Sequence, residues 1–342
     1  MKKVLLIWTI LGCLVLPVHA LDLTAPAVPG VEAVEDQSFS EALMEILGDA
    51  VARFRPDLRE AAGVCMTVLA AVAVLSVFSA VSGKKNSIQL AGAVLVASLL
   101  LKPAHALIAL GADTVLELSE YEKMLLPVLT AALAAQGGVG ASTALYAGTA
   151  AFNALLSSFI SRVLVPLLYV YLALAVGYAA AGEDLLKKLR DLVRSAAVWG
   201  LKTVLYVYTG YISITGVVSG TTDASMLKAA KLTISGAVPV VGGILSDASE
   251  AVLVGAAAVK NAAGIYGLLA ILSLWIGPFL RIGAHYLMVK AVGAVSGVFG
   301  VDGVTGVIDG FAAAMGLLLA MTGAVCLMLM IGTICFLRGV GL

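Results

Sequence analysis

The sequence carries little charge. Only 12% of its 342 residues are Asp, Glu, Lys or Arg, about half of the ~25% that soluble domains carry. The basic and acidic residues are equal in number, so the formal net charge is zero. A chain with no basic excess has no electrostatic footprint for nucleic acid, and one with no acidic excess offers no field for a cationic substrate.

Groups that carry out chemistry are also scarce, with three histidines and four cysteines. Cys13, Cys65, Cys326 and Cys335 lie in apolar runs without CxxC spacing, which argues against a disulfide framework or a zinc site and predicts small buried side chains. The sequence has no HExxH, no GxSxG with a placed acid and base, and no GxxxxGK[ST] phosphate loop. These observations predict a protein that is not an enzyme and needs no cofactor.

Apolar residues dominate instead. They make up 61% of the chain, the mean hydropathy is +1.06, and soluble domains are only about 45–50% apolar. A soluble core of this size could not hide so much apolar surface, so we expect lipid as the solvent. The 36 glycines agree, because glycine is more frequent in membrane helices than in soluble ones. The composition predicts an all-α, polytopic membrane protein.

The first twenty residues have the pattern of a secretory signal peptide. A positive segment at 1–3 precedes an apolar run at 4–16, and Val18 and Ala20 offer a small-residue cleavage site. An uncleaved anchor and a lipoprotein modified at Cys13 are the alternatives. In each case we expect the segment that begins at residue 21 to face away from the cytoplasm.

Residues 21–60 form the expected extracytoplasmic segment. Ser38 and Glu41 have capping-box spacing, and apolar residues recur at helical spacing as far as Pro56. This pattern predicts an amphipathic helix that ends near the proline. The helix either packs on the membrane face of its own protein or docks a partner, and amphipathicity does not separate the two.

The remainder, 61–342, is the expected transmembrane domain. The lysines of the loop at 83–87 and the basic helix at 183–194 indicate cytoplasmic positions, whereas the acidic loop at 113–123 suits the outside. A pair of apolar segments between 124 and 159, broken at 136–142, resembles a re-entrant or discontinuous helix. We expect about six transmembrane helices plus one or two re-entrant or broken ones. The predicted crossings are 61–82, 88–110, 163–181, 197–220, 264–280 and 311–337.

Two Gly-rich breaks, one in each half of the chain, are the candidate structural or pore-region site. Such breaks in corresponding halves are a hint of a transporter built from repeats, and the alternative is ordinary loops with close helix packing. Ser246 or Asp247 would cap a helix that runs to Asn261, and a buried Lys260 would need a partner unless it reaches the interface. The first break comprises Pro127, Gly137 and Gly138, and the second comprises Pro239, Gly242, Gly243, Ser246, Asp247, Glu250, Lys260 and Asn261.

The segments around these breaks resemble the stage III sporulation protein AE family. The resemblance lies in residues 235–250 and 259–264, in Ser119-Glu120-Tyr121 followed by Leu125-Leu126-Pro127, and in Gly137-Gly138. It implies a membrane component of a mother-cell-to-forespore channel or secretion-like apparatus required for endospore formation. It also implies other stage III sporulation membrane proteins and a separate cytoplasmic ATPase as partners, and a place in the mother-cell membrane around the forespore. Family knowledge supplies no catalytic residues.

Two other functions compete with this expectation. A self-sufficient secondary transporter would use the two Gly-rich breaks as its substrate site. A membrane enzyme is disfavoured, because the sequence offers no paired acid and base and no metal-binding cluster.

Overall fold

The computed structural model describes residues 39–82, 85–136, 139–237, 242–300 and 302–338, and for 215–237 and 242–260 it describes the backbone alone. The described part is almost entirely helical and contains no strand, which confirms the all-α class. The predicted signal peptide lies outside the described residues. The helices are α1 (Phe39–Ser82), α2 (Lys85–Ala135), α3 (Val139–Phe159), α4 (Val165–Ala181), α5 (Asp184–Ala237), α6 (Gly242–Val298) and α7 (Asp302–Arg338).

The connections between these helices are short. A single π-helical turn, Ile160–Leu164, joins α3 to α4, so the two form one rod. Gly182 ends α4 with a φ of 72° and donates its N–H to Tyr178 O at 2.8 Å. Gly300, between α6 and α7, has a φ of 66°. Both turns need the left-handed region, which glycine adopts without the steric cost of a Cβ.

Helix α1 does not end at Pro56. It continues through the proline for 44 residues, so the prediction that an amphipathic helix ends near Pro56 is wrong, while the predicted crossing at 61–82 lies almost entirely within the candidate span Leu43–Val81. A proline removes one helical hydrogen bond, but contacts with neighbouring helices compensate for the loss. Here Arg281 of α6 lies 3.7 Å from Asp57 and 3.0 Å from Glu60, which ties the turn after Pro56 to the bundle.

The acidic segment at 113–123 is helix rather than loop. Helix α2 runs for 51 residues through both Pro103 and Pro127. Asp113, Glu117 and Glu120 are exposed, and their spacing of four and three residues places them on one face. The prediction of an outside loop is therefore wrong. An acidic stripe on a helix and an acidic loop have the same composition, so charge counting did not separate them.

The break at 136–138 does separate two helices. Gln136 N–H bonds to Leu133 O at 3.2 Å in a turn after Ala135, and α3 begins at Val139. The two arms are not short, however. They are the ends of α2 and of the α3–α4 rod, so the predicted re-entrant pair is not confirmed.

Five helices of the described residues are long and apolar enough to cross a membrane. They are Leu43–Val81, Ser87–Ala135, Val139–Ala181, Asn261–Val298 and Gly303–Leu337. This result supports a membrane protein, but it does not confirm the predicted count of six crossings. The predicted crossing at 197–220 forms part of α5 and is not among the five.

These five helices are longer than a bilayer requires. They contain 35 to 49 residues, whereas about 20 residues cross the ~30 Å hydrocarbon core. At ~1.5 Å per residue, each is on the order of 50–75 Å long. Tilt accommodates part of the excess. The remainder extends past the hydrocarbon or packs against protein.

Helix α7 forms the centre of the bundle. It packs against every helix from α2 to α6, and 61% of its most apolar window is buried, compared with 17–33% in the other four candidate spans. A Cβ at Gly310 would lie 2.7 Å from Ala175 Cβ, and one at Gly303 would lie 3.0 Å from Ala179 O. Glycines at these positions therefore let α4 approach α7 closely, as small residues do in membrane bundles.

The contact between α3 and α5 gives a test of the packing. Gly148 lies against the ring of Tyr211, whose hydroxyl donates to Ala144 O at 2.9 Å. We expect Gly148→Ala to lower the thermal midpoint in detergent by several degrees, because overpacking a fixed ring costs about 1–3 kcal/mol. Gly210→Ala is the matched control, since no described atom outside its own helix lies within 4 Å of the Cβ that alanine would add there. Equal midpoints for the two variants would contradict this packing.

Candidate functional site

The structure describes some of the residues of each predicted break. Pro127 is exposed inside α2, and Asn261 is exposed on α6. Gly242 and Gly243 begin α6, so the predicted helix start at Ser246 or Asp247 is wrong. Helix α6 also continues past Asn261 to Val298. The remaining site residues are not described in full. The structure omits Gly137, Gly138 and Pro239, and it describes only the backbone of Ser246, Asp247, Glu250 and Lys260.

The helices that carry the two breaks are neighbours. A Cβ at Gly267 of α6 would lie 2.7 Å from Leu125 Cδ2 of α2. Leu125 is two residues from Pro127, and Gly267 is six residues from Asn261. The parts of α2 and α6 next to the breaks therefore pack together, while a functional role for the breaks stays a prediction.

A half-open cleft lies near the other end of the bundle. Charged residues of α5 and α6 line it together with α7. We call it the basic cleft, and its volume is about 370 Å³. Its floor is a run of small residues in α7, and its walls come from α4, α5 and α6. The lining includes Tyr171, Arg190, Asp191, Arg194, Tyr286, Lys290, Asp309, Gly310 and Gly316.

The ion pairs inside the basic cleft leave one basic side chain, Arg194, without an acidic partner among the described residues. Lys290 Nζ donates to Asp309 Oδ1 at 2.9 Å, and Arg190 bonds Asp191 Oδ1 at 2.9 and 3.0 Å. Arg190 also lies over the ring of Tyr178, with its Cζ 5.3 Å from the ring centroid. Arg194 forms no ion pair among the described residues. An unpaired guanidinium beside tyrosines suits a carboxylate or a phosphate group.

The sequence indicated the basic charges of this cleft but not their convergence. Arg190 and Arg194 belong to the helix predicted at a cytoplasmic surface, and that helix is the first part of α5. The sequence analysis missed Tyr171 and Tyr286 as lining residues. No local pattern marks them, because they meet only through the packing of α4 and α6 on α7.

A second group of polar residues is buried between α2, α3 and α5. We call it the Glu122 cluster, and its members have exposed fractions between 0 and 3%. Asn153 Nδ2 donates to Ser119 O at 3.3 Å and to Ser119 Oγ at 3.1 Å. The members are Ser119 and Glu122 of α2, Thr149 and Asn153 of α3, and Tyr208 of α5.

Glu122 is the ionisable carboxyl group of this cluster. Asn153 is close enough to interact with it, but neither carboxylate oxygen makes a well-formed hydrogen bond with a residue that the structure describes. Asn153 Oδ1 likewise has no donor. Buried polar atoms almost always have hydrogen-bond partners. Several unsatisfied oxygens gathered in one buried place therefore require an explanation.

Sequence reasoning assigned Glu122 to an outside loop, although its spacing carries the opposite signal. Val115, Leu118, Leu125 and Leu129 are buried on one face of α2, and Glu122 occupies the place between Leu118 and Leu125 in that stripe. The separations of three and four residues are those of a helix face. Reading 113–129 as helix would have placed this carboxyl group in the core.

Comparison with known proteins identifies the family. The family model described as stage III sporulation protein AE matches residues 31–340. The protein named stage III sporulation protein AE from Bacillus subtilis (strain 168) is 25% identical over 198 residues, which is 58% of this chain and 49% of that protein. The match thus spans about half the length of this relative. No solved structure matches. Because the family model covers most of the sequence, the chain belongs to the stage III sporulation protein AE family.

Proposed function

We propose that this chain is a membrane component of a mother-cell-to-forespore channel or secretion-like apparatus required for endospore formation. The observation that carries the proposal is the family match over residues 31–340, which supports a role in sporulation. Five apolar helices of spanning length support a place in a membrane. The specific membrane in this proposal is that of the mother cell around the forespore.

The proposed partners are other stage III sporulation membrane proteins and a separate cytoplasmic ATPase. The absence of a phosphate-loop motif from the sequence favours an ATPase on another chain. The length of the helices favours other membrane proteins as partners. The bundle has apolar side chains exposed along helices on the order of twice as long as a bilayer is thick. Other membrane proteins would cover the apolar surface that lipid does not reach.

The amphipathic start of α1 is one such surface. Met44 is 70% exposed and Val51 is 60% exposed. Ile46, by contrast, packs with Leu269 of α6 in a small apolar cluster. One face of the helix therefore packs on its own protein, as one of the two sequence-based interpretations expected. The other face is free for lipid or for a partner.

Affinity purification from sporulating cells tests the proposal. We expect the tagged full-length chain, extracted in mild detergent, to bring down other sporulation membrane proteins that mass spectrometry identifies. A matched control is the same tag on an unrelated polytopic membrane protein of the same cells. Recovery of the chain without sporulation-specific companions would contradict the assembly.

A self-sufficient secondary transporter is the second candidate, and the basic cleft is the observation that favours it. A volume of about 370 Å³ lies at the lower end of the range for small-molecule sites. The unpaired Arg194 would bind an anionic group. A transporter purified alone should bind a small anion, whereas a subunit of an assembly should need its companions.

Reversing the charge of the basic cleft separates its role from folding. A partner protein that places acidic groups in the basic cleft would contact Arg194, so in an assembly that uses the cleft we expect Arg194→Glu to lower the recovery of partner proteins several-fold through charge repulsion. Its thermal midpoint should stay close to that of the wild type, since Arg194 is exposed and makes no ion pair among the described residues. Recovery equal to the wild type would exclude the cleft as a partner contact.

Lys188→Glu is the control for this experiment. Lys188 is exposed on the same helix but does not line the cleft. It makes the same change in net charge at the same end of α5. If both variants lose partners equally, the loss reflects net charge rather than the cleft.

A further inference from the structure

The buried carboxyl group of Glu122 has no counter-ion within the part of the chain that the structure describes. It is 3% exposed, and none of the ion pairs among the described residues includes it. An isolated carboxylate is strongly disfavoured in such a place, because the interior replaces neither its hydration nor a paired cation. The carboxylate of Glu122 can instead take up a proton and become neutral, which the interior permits.

The amide of Asn153 is oriented by its other contact. Its Nδ2 lies 3.3 Å from the backbone carbonyl oxygen of Ser119, and a carbonyl oxygen accepts hydrogen bonds but never donates them. The nitrogen must therefore face Ser119, which leaves Oδ1 as an acceptor without a donor. Neither oxygen of Glu122 has a well-formed hydrogen bond within the described part of the chain. A proton on Glu122 adds a donor to a place where the polar atoms are mainly acceptors.

The described groups that interact with Glu122 from other helices are an amide and a phenol. Helix α5 contributes the phenol of Tyr208, which interacts electrostatically with Glu122 and with Cys335 of α7. Helix α3 contributes Asn153, which does not titrate. Helix α6 meets this stretch of α2 at the contact between Gly267 and Leu125, and the titratable group beside that contact is the half-buried phenol of Tyr266. On α2 itself, Tyr121 is buried, and Glu120 and Lys123 are exposed.

We propose that Glu122 is a proton-binding site inside the bundle, occupied at neutral pH and hydrogen-bonded through Asn153. The proton leaves the carboxyl oxygen for a water molecule only when the packing of α2 on α3 and α5 opens to admit one, and it returns when the packing closes. The site thus couples proton exchange to local opening of the bundle. This inference is independent of the sporulation apparatus, since it rests on the burial and contacts of Glu122.

Infrared spectroscopy of the full-length protein in detergent tests the proposal directly. With ¹³C-labelled glutamate, we expect the wild type at pH 7 to show the carbonyl band of a protonated carboxylic acid. That band should disappear in Glu122→Gln and persist in Glu120→Gln, because Glu120 is exposed on the same helix. A wild-type spectrum at pH 7 without a band that depends on Glu122 would overturn the proposal.

A second variant keeps the test independent of how well Glu122→Gln folds. We expect Asn153→Ala to retain the protonated band and to shift it to higher frequency, since the acid loses its hydrogen-bonding neighbour. An unchanged band position would overturn the role of Asn153. Replacing choline chloride with sodium chloride should leave the wild-type band unaltered. Loss of the band in sodium would show a metal cation in place of the proton and would also overturn the proposal.

Discussion

The burial of α7 is the constraint on which the rest of the structure depends. An apolar helix gains little from association in lipid, since lipid tails are as apolar as its own side chains, so close packing must supply the attraction. The glycines that face Ala175 and Ala179 remove side-chain bulk where α4 meets α7. Large residues such as Phe311 and Phe336 fill the remaining space. The other helices therefore take their positions from the shape of α7.

Helix length is the second consequence of this packing. Prolines at 56, 103 and 127 would each weaken an isolated helix, yet α1 and α2 run through them. Neighbouring helices hold each segment on both sides of the proline, so the loss of one backbone hydrogen bond does not end the helix. The result is a bundle with helices much longer than a bilayer needs. Such a bundle suits a protein that works inside a larger assembly.

The polar residues divide into two kinds by environment. In the basic cleft, charges lie at a half-open surface where water and ion pairing stabilise them, and Lys290 and Asp309 form such a pair. In the Glu122 cluster, a carboxyl group is enclosed by helices, and no described cation forms an ion pair with it. A carboxyl group is therefore expected to differ in protonation between the two places. An exposed carboxylate is charged, whereas an enclosed one without a counter-ion is a candidate for protonation.

The sequence by itself determined the helical class, the membrane character, the family resemblance and the separation of two helices at 136–138. These properties follow from composition and from local pattern, which do not depend on what packs where. Only the tertiary structure decided that α1 and α2 continue through their prolines and that the acidic stretch is helix, which puts Glu122 on the buried face of α2. Each of these depends on contacts between residues far apart in the chain, such as Arg281 with Glu60 or Asn153 with Ser119. A charged residue on a helix is the same residue in the sequence whether it faces solvent or a neighbouring helix. Helix packing determines which of the two environments it has.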